Sequence, residues 1–248
     1  MKIRFVGTSH GAAEKGAKCT CVIVEINQNY YIIDTGACAV EYMKENGLNT
    51  ADIKGVFITH MHEDHVGKIS SLLKQMTTYN TNISATFVFP EDTAPANVEA
   101  WANTLHSRPI DHQRLPFNVA KDGKVVYKDN NVTITAIKTD HINGFDTYGY
   151  MFETADKRVV FTGDLTPDLH DYPEIILNEG CDLVVTELCH YFKLTHFMEG
   201  TIEKLKQSKT KQMIFSHKYP GGAEAMLKQK DSFNFPIHIV NDNDIIEI

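Results

Sequence analysis

Apolar and polar positions divide the chain into short β-rich runs punctuated by turn residues, with helical stretches between them. Lys2–Gly7, Cys19–Ile26 and Tyr30–Asp34 hold apolar side chains over strand lengths, and the third run ends in Thr35-Gly36. They predict a meander of strands. A helix follows near Ala39–Asn46, then a short apolar strand Gly55–Ile58, the segment THMHEDHVG, and a helix from about Gly67 to Met76. The histidine-rich segment therefore belongs to a strand-to-helix loop. Residues 77–130 carry a strand around Ala85–Phe89, a helix holding Trp101, and a polar stretch with Pro109 and Pro116.

After Gly123 the β pattern returns as Lys124–Tyr127, Val132–Lys138, Tyr148–Glu153 and Arg158–Thr162, followed by a helix near Leu169–Glu179. Next come a strand Leu183–Glu187, a helix Met198–Gln207, a strand Gln212–Phe215 and, past Pro220-Gly221-Gly222, an amphipathic helix to about Lys230. No linker or low-complexity segment intervenes, so the expectation is one domain over residues 1–248 with two β-rich halves, about 1–120 and 121–248. Two such halves, each followed by helices, predict an α/β fold with two sheets face to face and helices outside, a four-layer αββα sandwich. Loops from both halves are expected to meet at one edge, where residues distant in sequence can share a site.

Composition narrows the function classes. Lys and Arg number 24 against 32 Asp and Glu, a formal charge of −8, which argues against indiscriminate polyanion binding because phosphate affinity comes from clustered cations. Five cysteines with no C-x-x-C pair suit reduced thiols, and 248 residues bury a core without disulfides. No run approaches the roughly 20 apolar residues of a membrane helix. The opening MKIRFVGTSHGAAEKGAKCT lacks the apolar core of a signal peptide, so a cytoplasmic location and no membrane partner are expected.

Twelve histidines change the picture, because they cluster. His60-Met61-His62-Glu63-Asp64-His65 reads H-x-H-x-D-H. In extended backbone His60 and His62 point the same way and can share one ion, while Asp64 and His65 face elsewhere. Two adjacent metal positions served from one loop is the arrangement of two-metal hydrolases. Further ligands must come from outside the loop, and His141, Asp164 in FTGD and His217 in IFSH each stand at the end of a predicted strand. Imidazole and carboxylate donors without thiolate suit Zn²⁺, and also Mn²⁺ or Fe.

With these residues in order, the whole chain resembles the metallo-β-lactamase-fold hydrolases. Asp34 in IIDTG matches the first motif, His60, His62, Asp64 and His65 the second, His141 the third, Asp164 the fourth and His217 the fifth. The resemblance implies two divalent metal ions, one held by His60, His62 and His141, the other by Asp64, His65 and His217, with Asp164 bridging. Asp34 would orient the histidine loop from behind. FVGTSHG, FTGDLTPD, DLVVTEL and IFSHKY look most like ribonuclease Z and related phosphodiesterases, which implies a small-molecule or nucleic-acid phosphodiester substrate. The long substrate-binding arm of ribonuclease Z has no room in the 22 residues from Ile142 to Gly163. Lys218-Tyr219 stands where that family has Arg-Tyr and is the candidate for substrate phosphate.

Asp64 is also the candidate general base. His196, at about the position of the family's catalytic histidine, is the candidate proton donor, with His190 competing. Related enzymes are often homodimers, which leaves a homodimer open. A lactonase or thioesterase, or a non-catalytic metal-binding protein, would use the same ligands. Glu stands at the position of His62 in flavodiiron proteins, which argues against redox di-iron chemistry. Cys19 and Cys21 read as buried small residues, Lys204, Lys206, Lys209 and Lys211 as a solvated helix end, and His10 lies in a glycine-rich loop beside the first strand.

Overall fold

The computed structural model of the chain describes residues 1–12, 15–165, 180–188, 203, 205–218 and 221–248. It forms two compact units, Met1–Ala120 with Asn241–Ile248, and Lys121–Val240.

In the first unit six strands, β1 (Lys2–Gly7), β2 (Cys21–Ile26), β3 (Asn29–Ile33), β4 (Ile53–Phe57), β5 (Thr86–Phe89) and β6 (Phe117–Val119), lie side by side in chain order. The C-terminal strand Ile245–Glu247 adds to the outer edge of β1. β1 to β3 are antiparallel neighbours, and β3 to β6 are parallel. The switch follows from the connections: a tight turn joins β2 to β3, whereas helix-bearing crossovers join the parallel strands. Helices α1 (Ala39–Glu45), α3 (Ile69–Lys74) and α4 (Ala94–Thr104) bury one face on the apolar side of this sheet, against Ile23, Ile32, Val56, Phe87 and Phe89. α4 starts with Pro95 in its first turn and buries Ala94, Val98 and Ala102 at four-residue spacing, the stripe expected of a helix half in solvent.

The second unit repeats the plan. β7 (Val125–Lys128), β8 (Thr133–Thr139), β9 (Thr147–Glu153) and β10 (Arg158–Phe161) form an antiparallel meander, and β11 (Leu183–Leu188), β12 (Met213–Lys218) and β13 (Ile237–Ile239) continue from β10 in parallel. Its core joins Val160, Val184, Met213 and Phe215 to Met226 of helix α5 (Gly222–Lys228) and to Phe233. Among the described residues no helix is long and apolar enough to cross a membrane.

Several elements differ from the sequence reading. The predicted helix Gly67–Met76 is α3, which starts only at Ile69, after the Lys68 amide bonds Thr35 O at 2.8 Å, and runs on into a π-helical turn, Gln75–Tyr79. A separate short helix, α2 (Glu63–Val66), lies inside the histidine segment, which the pattern reads as loop. β2 starts at Cys21, and Cys19, outside it, forms an isolated bridge with Ser9. β6, β13 and the C-terminal strand, three residues each, are too short for periodicity to show. Residues 241–248, read as part of the second half, belong to the first sheet. The predicted helix Leu169–Glu179, and most of Met198–Gln207, lie outside the described residues.

Parallel neighbours point their carboxyl ends the same way, so loops leaving them converge. In the first unit those are the loops after β3 and β4, and in the second the ends of β10, β11 and β12.

Candidate metal centre

In the first unit the Asp34 carboxylate organises the loop after β4. Asp34 follows β3 with φ of 58°, a left-handed conformation that Asp tolerates better than most residues. Its Oδ1 accepts the Thr59 amide at 2.8 Å, and its Oδ2 accepts Thr59 Oγ1 at 2.9 Å. Oδ2 also lies 2.8 Å from His65 Nδ1. All three residues are buried. The carboxylate partner makes Nδ1 the protonated nitrogen of His65, which leaves the Nε2 lone pair facing Asp64 Oδ2 at 3.6 Å. His60 Nε2 and His62 Nδ1 approach to 3.0 Å. Two imidazoles bound tetrahedrally at the usual Zn–N distance would sit about 3.3 Å apart, so this spacing suits a shared ion.

Two glycines set the position of Asp64. A Cβ on Gly36 would lie 1.8 Å from the Asp64 carbonyl oxygen, so no side chain fits where the Asp34-Thr35-Gly36 turn meets α2. The same junction carries a Thr35 N–H bond to His65 O at 2.6 Å. A Cβ on Gly11 would lie 3.3 Å from Asp64 Cγ and Oδ2, which places the loop after β1 directly against the carboxylate.

The second unit holds a parallel arrangement. Asp164, three residues past β10, places Oδ2 at 3.5 Å from His217 Nε2 and 3.8 Å from His141 Nε2. His217 owes its place to a bulge: Glu187 pairs with Ser216 and Leu188 with Lys218, so His217 is the extra residue of β12, with φ of 48°. Its Nδ1 lies 3.5 Å from Glu187 Oε2. Ligand atoms of Asp164, Glu187 and His217 all fall within 4.8 Å of one another. The Glu187 carboxyl also accepts the Leu165 amide, and His141 Nδ1 lies 3.3 Å from Leu165 O. Burial, and then the neighbouring Asp164, push the Glu187 carboxyl above the usual range, against the opposing pull of His217 and the Leu165 N–H.

Each unit thus contains a buried histidine with one carboxylate at Nδ1 and another at Nε2: His65 between Asp34 and Asp64, and His217 between Glu187 and Asp164. A carboxylate behind the far ring nitrogen is the ordinary support of a metal-bound imidazole, and the donor set fits a divalent cation. Glu187 was missed by the sequence reading. Its signal was there, an acidic residue at the carboxyl end of the apolar run Leu183–Val185, where burial requires a partner.

Lys218 closes β12 and is partly exposed. His196, His190, Tyr219, Cys189 and Lys204 lie outside the described residues. Lys206 and Lys211 are engaged by Glu203 and Asp182. Cys21 is buried, and burial raises its thiol pKa well above the usual value.

Sheets of this order, with buried imidazole–carboxylate clusters at strand ends, define a chain of the metallo-β-lactamase fold. The metallo-β-lactamase fold protein YhfI from Bacillus subtilis superposes with a TM-score of 0.76 at 15% identity, over 100% of this chain and 99% of that one. Zn(2+)-bound PqqB from Methylobacterium extorquens does so at 0.73 and 10%, over the full length of both chains. Residues 1–238 match the family described as Anti-Pycsar protein Apyc1, and the chain belongs to that family. Its sequence is also similar to the ribonuclease Z of Nitrosopumilus maritimus (strain SCM1), 29% identical over 194 residues. That match takes in 72% of this chain and 62% of the relative, so the chain spans about three fifths of the relative's length.

Proposed function

We propose that the chain is a dinuclear metal-dependent phosphodiesterase of ribonuclease Z type, acting in the cytoplasm on a small-molecule or nucleic-acid phosphodiester. The observation that carries this reading is the repeated setting of a buried histidine between two carboxylates, once in each unit. His60, His62 and His141 would hold one ion and Asp64, His65 and His217 the other, with Asp164 completing the donor set. Zn²⁺ is the preferred cation for such donors, and Mn²⁺ or Fe is compatible. Bound there, the cations supply Lewis acidity toward a phosphoryl oxygen and bring the acidity of water to a pKa of about 7.

The protein's own groups do the rest. Asp34 and Glu187 hold Nδ1 protons on His65 and His217, so that each Nε2 keeps its lone pair for a cation. Asp64 accepts the proton of the attacking water. His196 protonates the leaving alkoxide, a role taken from its place in the sequence. Lys218 and Tyr219 contact the substrate phosphate.

The test is hydrolysis of bis(p-nitrophenyl) phosphate by protein stripped with chelator and reloaded separately with Zn²⁺ or Mn²⁺, with bound metal counted. Two ions per chain and metal-restored turnover are expected, and Asp64→Ala should abolish the turnover. Loaded protein that hydrolyses lactones or thioesters instead would assign carbonyl substrates, and loaded protein silent toward all three would assign metal binding without catalysis.

A further inference from the structure

Asp242 lies at the far end of the chain from the histidine loop, yet it holds both ends of the loop that borders Asp64. Its Oδ1 accepts the Thr8 amide at 2.9 Å and Thr8 Oγ1 at 2.8 Å, and its Oδ2 accepts the Lys18 amide at 2.7 Å. Thr8 follows directly on β1, and Lys18 stands three residues before β2. A bond from the Ser9 amide to Lys18 O at 2.9 Å closes the same neck. Beyond it, Ala12 N–H donates to His10 Nδ1 at 3.1 Å and the backbone turns at Gly11, the residue whose missing side chain leaves room for the Asp64 carboxylate. Asp242 is itself fixed by the C-terminal segment, where Asn243 N bonds Phe5 O at 2.7 Å and Phe5 N bonds Asp244 O at 2.9 Å.

We propose that Asp242 is a positioning residue for Asp64: by fastening Thr8 and Lys18 it seats Gly11 against the carboxylate and fixes the orientation of that group. The proposal rests on Asp64 being a metal ligand and base, as assigned above. On the other side Asp64 is fixed through its backbone, by the close approach of Gly36. Releasing the loop withdraws the Gly11 backbone from the carboxylate and widens the range of rotamers open to it. An error of about 1 Å in the placement of a reacting group costs on the order of 100-fold in rate.

The experiment uses the full-length, metal-loaded chain and four variants: Asp242→Ala, Asp242→Asn, Gly11→Ala and, as a control, Asp244→Ala. The control removes only the local Asp244 bond to the Asn241 amide. Three quantities are read: kcat and KM on bis(p-nitrophenyl) phosphate, the rate of metal loss to a chelator, and tryptic cleavage after Lys15 and Lys18. For Asp242→Ala we expect kcat to fall about tenfold or more at nearly unchanged KM, with faster metal loss and faster cleavage. Asp242→Asn, which keeps an acceptor for Thr8, should recover part of each. Gly11→Ala should reproduce the kcat and metal-loss effects without the cleavage, and Asp244→Ala should move none of the three.

The proposal is overturned if Asp242→Ala releases the loop to trypsin while kcat and metal loss stay at wild-type values, or if Gly11→Ala leaves both unchanged. Should Asp242→Ala fail to fold, Asp242→Asn and Gly11→Ala decide. A wild-type protein that binds metal but turns over no phosphodiester defeats the phosphodiesterase reading alone, because metal loss still tests Asp242. Wild-type protein that takes up no metal overturns both.

Discussion

Replacing Asp34 by Asn should cost more in metal affinity than in stability, and the geometry says why. Asn keeps the shape of Asp and tolerates the φ of 58°, so the turn after β3 survives. Its oxygen can go on accepting the Thr59 amide, now at 2.8 Å. The other carboxylate oxygen becomes an amide group, placed 2.8 Å from His65 Nδ1 and 2.9 Å from Thr59 Oγ1. A donor there turns His65 Nδ1 into the acceptor and moves the ring proton to Nε2, the atom that faces Asp64. The folding loss is one charge-assisted hydrogen bond, about 1–3 kcal/mol, out of a total of about 5–15 for a domain. The metal loss should be about 10–100-fold, the usual effect of removing the group behind a histidine ligand. Asp34→Ala is the contrast: it strands up to three buried donors and puts Ala in a left-handed conformation, for about 4–7 kcal/mol. Chelator competition on loaded protein measures the first effect and urea unfolding of metal-free protein the second. Wild-type metal affinity in Asp34→Asn, whatever its stability, would refute the assignment of the His65 tautomer to Asp34.

Gly36→Ala should prevent accumulation of folded protein, or destabilise it by about 3 kcal/mol or more, because the added methyl meets the Asp64 carbonyl at 1.8 Å and the Thr20 carbonyl at 2.8 Å, both of them backbone. Soluble, normally melting Gly36→Ala protein would contradict that crowding. Asp182 offers a pH test away from the metal donors. Burial alone would raise its pKa, but hydrogen bonds from Lys211 at 2.6 Å and from the Arg158 amide at 2.7 Å bring it below the usual value. A depressed folded pKa stabilises the fold above the unfolded-state pKa and loses that contribution as pH falls through the folded value. Unfolding midpoints of wild type and Asp182→Asn should therefore differ at neutral pH and converge in acid, below about pH 4. A difference that is constant across that range would remove Asp182 as its source.

What could be read in the sequence, and what could not, follows the range of the forces involved. The strands around the site are legible because β-branched and aromatic runs such as Val22–Ile26, Tyr30–Ile33 and Leu183–Val185 carry their signal within a few residues. The histidine segment is legible because one loop supplies several donors at fixed spacing. Glu187 needed something more, a reason for a charge to sit at the end of a buried strand, and that reason is a histidine 30 residues onward, held in the bulge of β12. Only the parallel pairing of β11 with β12 brings the two together. The break between α2 and α3 has a similar origin, since a tertiary bond from the Lys68 amide to Thr35 O interrupts the helical ladder there. Asp242 is the extreme case. Read locally it is one polar residue in the turn sequence Asn241-Asp242-Asn243, and its role becomes visible only when the C-terminal strand pairs with β1 and carries it to the neck of the first loop. The residues proposed to bind metal can be named from types and spacing. Of those proposed to hold them in place, Asp34 can be named from its motif, whereas Glu187 and Asp242 cannot, because their partners are chosen by topology.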